Sequence, residues 1–306
     1  MKRKCTISYF MVSFFFLSAE ASLEDHFRKI EGKTEIHKME NIDFIYMINL
    51  DSRKEKFERS SAQLAPYHIC PYRVSAINGW DLSVEDLQDI GLKYASGMRE
   101  NFLATCYLTE DKVPIYTEMN QPGQAYFRYK MTPGMIGCLL SHLSVLQDAI
   151  DSDYETIWVL EDDILVVQDP RQISDLIFQL DERAGKDQWD ILFTDRDMLK
   201  TEDRYERCVG WSRRPNFKPD HSERFKKTAV IDETFRQIGA RFGTHSMIVR
   251  RSGMEKILHF IKTYGVFNPY DLDMALPNTI KMYSVLHDVV GNEPGLPSDT
   301  KKKGSS

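Results

Sequence analysis

Residues 157–167 read I-W-V-L-E-D-D-I-L-V-V. Four apolar residues run into Glu161, Asp162 and Asp163, and then apolar residues resume. A short apolar run rich in β-branched and aromatic residues predicts a buried strand with parallel neighbours. Three carboxylates at the end of such a strand repel one another and take up protons unless positive charge sits beside them. A hard divalent cation, held through carboxylate oxygen and helped by a ligand's phosphates, is the simplest remedy. Open α/β sheets also place their ligands at the carboxyl ends of parallel strands. The plainer alternative is a solvated acidic turn after an edge strand, and the flanking sequence bears on that choice.

Upstream, Thr132-Pro133-Gly134 opens a helix with Thr132 as N-cap and Pro133 in the first turn. Ile136, Leu139, Leu140, Leu143, Leu146 and Ile150 follow at helical spacing, which predicts one core-facing stripe. Ser141 and His142 lie within it, and His142 reads as a structural histidine. Further back, Phe44 to Leu50 (F-I-Y-M-I-N-L) predicts a buried strand that runs into the charged helix D-S-R-K-E-K-F-E-R, the opening of a βαβ unit. The start of that helix and Arg53 could meet an anionic ligand, although Arg53, Lys54, Lys56 and Arg59 also fit a solvated face. Tyr72 to Ile77 predicts a strand stopped by Asn78-Gly79. Residues 83–128 lack a clean period and read as an insertion with short helices, a lid or acceptor-facing region. Tyr107, Tyr116, Tyr126, Phe127 and Tyr129 read first as core and second as a sugar-stacking surface.

Downstream, Ile173 to Leu180 predicts an amphipathic helix and Trp189 to Phe193 a strand ending at Thr194-Asp195-Arg196-Asp197. Residues 200–228 read as a long loop with a basic cluster of Arg213, Arg214, Lys218, Arg224, Lys226 and Lys227. Gly243 to Arg251 contains a strand with His245 at its beginning, followed by the helix Met254 to Tyr264. Asp271 and Asp273 form a second acidic pair in a loop, and Tyr283 to Val290 predicts a last strand carrying His287 and Asp288. Strands and helices alternate throughout, so the fold class is α/β.

A hydrophobic content of 42% with 11% aromatics supports a real core, which excludes a disordered chain. A net charge of −6 and a pI near 5.8 speak against nucleic acid as the partner. Cys5, Cys70, Cys106, Cys138 and Cys208 are widely spaced, which excludes the usual zinc frameworks and offers no disulfide scaffold. Residues 1–22 resemble a secretory signal: Lys2, Arg3 and Lys4, an apolar stretch from Ile7 to Leu17, and an A-x-A-type site at 19–21. That stretch is short for a membrane span. It implies export to a periplasm, the exterior or an ER lumen. Without it, the expected place is the cytoplasmic face of a membrane, with peripheral association.

Taken in order, these segments resemble glycosyltransferase family 25, the lipooligosaccharide-biosynthesis and collagen-galactosyltransferase group. The matching pieces are I-Y-M-I-N-L-D-S-R at 45–53, R-V-S-A-I-N-G at 73–79, T-P-G-M-I-G-C-L-L-S-H-L at 132–143 and V-L-E-D-D at 159–163. W-D-I-L at 189–192, G-T-H-S-M-I-V-R-R-S-G at 243–253, P-Y-D-L-D-M at 269–274 and P-S-D at 297–299 complete them. The resemblance implies a GT-A-like single domain over 42–299, with a mostly parallel central sheet flanked by helices. A linker over 23–41 would precede it and a polar tail over 300–306 would follow. It also implies inverting transfer of a hexose, most often galactose, from a UDP-sugar to a hydroxyl of a glycan, lipooligosaccharide or glycoprotein. Mn2+ or Mg2+ would assist, and E-D-D would be the family's D-x-D-like element. Asp163 is the expected metal ligand with Glu161 beside it, since alternate residues of an extended segment face one side. Asp162, Asn49 and Arg53 would face the donor, and His287 would complete the metal shell. The base is expected among Asp271, Asp273, Asp195 and Asp197, with the first two preferred on the family motif. Met135 stands where family members often have glutamate, which implies a changed acceptor or lower activity. Two other readings stay open: an exported, non-catalytic GT-A-fold binding module, and a metal-dependent phosphotransferase or hydrolase that lacks the glycine-rich phosphate loop it would need.

Overall fold

A computed structural model describes residues 22–99, 102–296 and 298–301. In chain order, β1 (Phe44–Asn49) leads to α1 (Lys54–Leu64), β2 (Tyr72–Ser75) and α2 (Val84–Ile90). Four short strands follow, β3 (Leu92–Lys93), β4 (Leu103–Cys106), β5 (Ile115–Glu118) and β6 (Ala125–Arg128). Then come α3 (Pro133–Asp151), β7 (Thr156–Glu161), β8 (Ile164–Val166), α4 (Ile173–Ala184) and β9 (Ile191–Phe193). Next are a hairpin of β10 (Met198–Thr201) and β11 (Arg204–Glu206), a second pair β12 (Thr228–Val230) and β13 (Phe235–Ile238), and β14 (Ser246–Arg250). The chain continues through α5 (Arg251–Tyr264), α6 (Tyr270–Asp273), β15 (Met282–Val285) and β16 (Val290–Asn292).

The central sheet has eight strands in the order β12-β13-β15-β9-β14-β7-β1-β2. Parallel pairing joins β2 to β1, β1 to β7 and β9 to β15. Antiparallel pairing sets β14 against both of its neighbours and β13 against both of its own. All strands but β13 and β14 therefore run one way, which is the mostly parallel α/β sheet expected. Side chains alternate across it. Phe44, Tyr46, Ile48, Ile157 and Val159 pack with the stripes of α3 and α5. Ile45, Met47, Trp158 and Leu160 pack with Leu64 of α1 and Ile173, Ile177 and Leu180 of α4. Burial on both faces explains why β1 and β7 read as continuous apolar runs rather than alternating ones.

Helix α3 is fixed end-on by close backbone contact. A Cβ at Gly79 would lie 1.7 Å from the Pro133 carbonyl oxygen, and one at Gly137 2.4 Å from backbone atoms of Gly79 and Ile77. The Ile77 amide donates to Ser141 Oγ at 2.8 Å across the same contact. The Asn78-Gly79 turn thus has glycine because a helix lies on it.

Four regions depart from expectation. Residues 23–41 are not a free linker: Leu23, Phe27 and Ile30 pack on the core, and Lys33 pairs with Asp148 at 2.8 Å. The 83–128 insertion is not mainly helical. It holds α2 and a four-stranded antiparallel sheet in the order β3-β6-β4-β5, whose strands are too short to show a period. Within it Tyr107, Tyr126 and Phe127 are core, whereas Tyr116 and Tyr129 are exposed and meet edge-on. The 200–228 segment contains β11 and a short 3-10 turn at Ser222–Lys226. Arg214 and Arg224 of its basic cluster turn inward, Arg224 donating to the carbonyls of Ala275, Leu276 and Pro277. The last predicted strand ends at Val285, and β16 pairs with β8 in a separate two-stranded sheet. No helix among the described residues is long and apolar enough to cross a membrane, and the signal-like stretch over 1–21 lies outside them.

Candidate active site

The acidic triplet occupies the end of β7 and the turn into β8, at the edge where β1 and β7 both finish. β14 runs against β7, so the residue that precedes β14 arrives where β7 ends. His245 therefore faces the acids, and the Glu161 amide donates to its carbonyl at 2.9 Å. Gly243 makes room for the imidazole: its φ is +76°, and a Cβ there would lie 2.7 Å from His245 Nε2. His245 Nδ1 lies 3.1 Å from Asp163 Oδ1 and 3.8 Å from Glu161 Oε2. Glu161 Oε1 accepts from Thr244 Oγ1 at 2.5 Å and meets His142 Nε2 at 3.2 Å. His142 is fully buried and stacks on Tyr270 with ring centres 4.3 Å apart.

Asp162 turns to the other side. Its Oδ2 accepts from Asn49 Nδ2 at 2.6 Å, and its Oδ1 lies 3.9 Å from Lys56 Nζ. Asn49 is buried at the end of β1 and is oriented by Arg73, whose Nε donates to Asn49 Oδ1 at 2.8 Å. Arg53 and Lys56, at the start of α1, both pair with Asp299 of the C-terminal segment. That segment is anchored again where Thr132 Oγ1 donates to the Thr300 carbonyl at 2.6 Å. The cleft is lined by the end of β1, residues 76–79, the first turns of α3, the acidic triplet and Ser298–Thr300, and in this closed form holds about 100 Å³.

The charges tell which groups need a cation. Burial pushes Glu161 up, but the hydrogen bond from His142, the charge of His245 and the Thr244 hydroxyl outweigh it and hold the carboxyl below its usual range. Burial pushes Asp162 up to about 6 against the pull of Asn49 and Lys56. Burial would lower His245, yet Asp163, Glu161 and Asp195 together raise it to about 9. An imidazolium proton thus sits where the acids call for positive charge. Ligand atoms of Glu161, Asp163 and His245 lie within 4.8 Å of one another. Two carboxylates and an imidazole suit a divalent ion such as Mn2+, so these residues fit a metal.

The remaining predicted residues divide sharply. Asp271, at the start of α6, is partly exposed, and its Oδ2 accepts from the Gly243 amide at 3.2 Å. Burial raises its pKa against that hydrogen bond, which suits a proton acceptor. Asp273 is a correction: its carboxylate is fully buried, pairs with Arg214 and accepts from Asn268 Nδ2 at 2.8 Å, so it faces no substrate. Asp195 is likewise buried and bound by Arg241 at 2.5 Å, and Asp197 pairs with Arg236 at 2.7 Å. His287 is also corrected. It is exposed in the turn after β15 and belongs to neither cluster of potential ligands, because that strand ends before reaching it. His245 takes the position instead. The readable signal was Gly243-Thr244-His245 before a strand, but only the antiparallel pairing of β14 with β7 brings it to the acids. Lys56 and Asp299 were also missed as site groups. Met135 is half-buried against the core.

The model of glycosyltransferase family 25 (LPS biosynthesis protein) matches residues 42–275. A glycosyltransferase 25 family member of Drosophila melanogaster is 26% identical over 186 residues, covering 61% of this chain and 26% of the relative. Human procollagen galactosyltransferase 2 is 26% identical over 162 residues, 53% of this chain and 22% of the relative. A human protein named inactive glycosyltransferase 25 family member 3 is 24% identical over 160 residues, 52% of this chain and 23% of the relative. The chain spans about a quarter of the length of these curated relatives.

Proposed function

The chain belongs to glycosyltransferase family 25, and from that premise we propose that it transfers a hexose, galactose first among the candidates, from a UDP-sugar to a hydroxyl of a glycan, lipid-linked or protein-linked acceptor. The observation that carries this reading is the convergence of Glu161, Asp163 and His245 at the sheet edge, next to the cationic start of α1. Glu161, Asp163 and His245 would hold Mn2+ or Mg2+, which when bound stabilises charge on the departing diphosphate. Arg53 and Lys56 give up Asp299 and receive the diphosphate, aided by the positive end of α1. Asn49 positions Asp162 toward the ribose. Asp271 takes the proton of the acceptor hydroxyl, and its raised pKa serves that step. Attack on the face opposite the leaving diphosphate inverts the anomeric carbon.

The test is a thermal-shift panel of UDP-galactose, UDP-glucose and their N-acetyl forms with and without Mn2+, followed by donor hydrolysis. The expected result is stabilisation that requires both nucleotide and metal, and hydrolysis that Asp163→Ala abolishes. No shift with any donor would overturn the assignment. A second reading, a binding module that keeps the fold without turnover, is favoured by Asp299 already sitting on both cations. Donor binding with no hydrolysis and no transfer would select it.

A further inference from the structure

We propose that Cys138, His142 and Glu161 form a second cation site, chemically distinct from the first, that takes a thiophilic divalent ion of the zinc class. Cys138 and His142 are one turn apart on α3, so their side chains share a face. Glu161 enters from β7. The thiol sulfur, an imidazole nitrogen and a carboxylate oxygen all lie within 4.8 Å of one another, and all three residues line the cleft. The His142 Nε2 to Glu161 Oε1 separation of 3.2 Å is close to the ligand–ligand edge of about 3.3 Å that tetrahedral zinc sets with bonds of roughly 2.0–2.1 Å. Thiolate, imidazole and carboxylate are the ligands a borderline-soft ion selects, whereas the Glu161–Asp163–His245 group lacks sulfur and suits a harder one. Three protein ligands with the fourth position facing the cleft resemble an open rather than a closed zinc site. Binding balances simply: the Cys138 thiol loses its proton to solvent as the metal–sulfur bond forms.

Glu161 is common to both groups. Two dications sharing one carboxylate repel, so filling the thiolate site weakens the oxygen-rich site, and by linkage the reverse also holds. The thiolate site stands on its own geometry; only its effect on turnover rests on the transferase reading.

Co2+ titration of the whole protein tests the proposal, because a thiolate bound to Co2+ gives a near-ultraviolet charge-transfer band that oxygen and nitrogen ligands do not. One equivalent is expected to produce that band in the wild type, in His245→Ala and in Cys70→Ser, and to lose it in Cys138→Ser. Absence of the band from the wild type, or its survival at full strength in Cys138→Ser, overturns the site. Should Cys138→Ser fail to fold by circular dichroism, the wild type decides alone: Zn2+ must slow alkylation of Cys138, read by peptide mass, and unchanged alkylation refutes it. Weaker Mn2+ binding in the presence of Zn2+ supports the antagonism, and Mn2+ binding unaffected by Zn2+ removes it.

Discussion

Asp271 and Asp273 are two residues apart in one motif, yet the fold gives them opposite work, and Asp273→Asn separates them. The Arg214–Asp273 pair has both side chains fully buried, and breaking such a pair leaves an uncompensated charge at a cost of about 3–5 kcal/mol. Arg214 keeps the carbonyls of Tyr264 and Gly265 as acceptors at 2.7 and 2.6 Å, and the new amide fills the same space. The loss should therefore fall near about 3 kcal/mol. At roughly 2–4 °C per kcal/mol for a domain approaching this size, Tm should drop by about 6–12 °C. Arg214→Met combined with Asp273→Leu should recover most of it, since apolar replacement of a buried pair is often neutral or better. Asp271→Asn should leave Tm within about 2 °C, because that carboxylate is partly exposed, while lowering turnover by about 10²–10⁴. Thermal denaturation followed by circular dichroism, run beside a transfer assay, reads both. Wild-type Tm with lost turnover in Asp273→Asn would refute the division and put Asp273 in the chemistry.

Mn2+ affinity should rise with pH up to about 9, since the metal must displace the proton that Asp163 and Glu161 hold on His245. Calorimetry in buffers of different ionisation enthalpy should show proton release, and none at pH 7 would contradict it. The same group gives the metal-free protein a stability contribution that is full below the unfolded histidine value near 6.5 and is lost as pH climbs through about 9. Asp299→Asn should tighten UDP binding by roughly five- to tenfold, on the order of 1 kcal/mol, by releasing Arg53 and Lys56. Weaker binding, measured by calorimetry, would make the segment a support for the donor rather than its competitor. Gly137→Ala should cost at least about 3 kcal/mol or prevent soluble expression, because its Cβ meets unyielding backbone. Wild-type melting of that variant would remove the claimed contact between α3 and the 77–79 turn.

The strands and helices that enclose the core were legible because burial on both sheet faces writes apolar runs into β1 and β7, and one-sided burial writes a stripe into α3 and α5. The acidic triplet was legible for the opposite reason, as charge where a buried strand should continue. What escaped was set by pairing partners far away in sequence. His245 and Asp163 are 82 residues apart, and nothing local to either announces the other. Asp273 looked like a second base because its charge is visible in the sequence, whereas its partner Arg214 sat in what read as a solvated basic cluster. His287 failed because β15 stops early and leaves it in a turn. The β3–β6 sheet escaped because strands of two to four residues carry too few side chains for a period to emerge.

The reversed direction of β14 has a consequence for the life of the chain as it folds. β1, β2 and β7 can assemble through crossovers among residues 44–161, but the cluster of Glu161, Asp163 and His245 closes only when a later strand slots in beside β7. Such long-range pairing bears its loop-closure entropy before any reward and comes slowly. A half-assembled molecule therefore has no complete cation grip with which to spend a costly donor. Competence arrives together with the finished sheet, so maturation and the right to react are joined in one event.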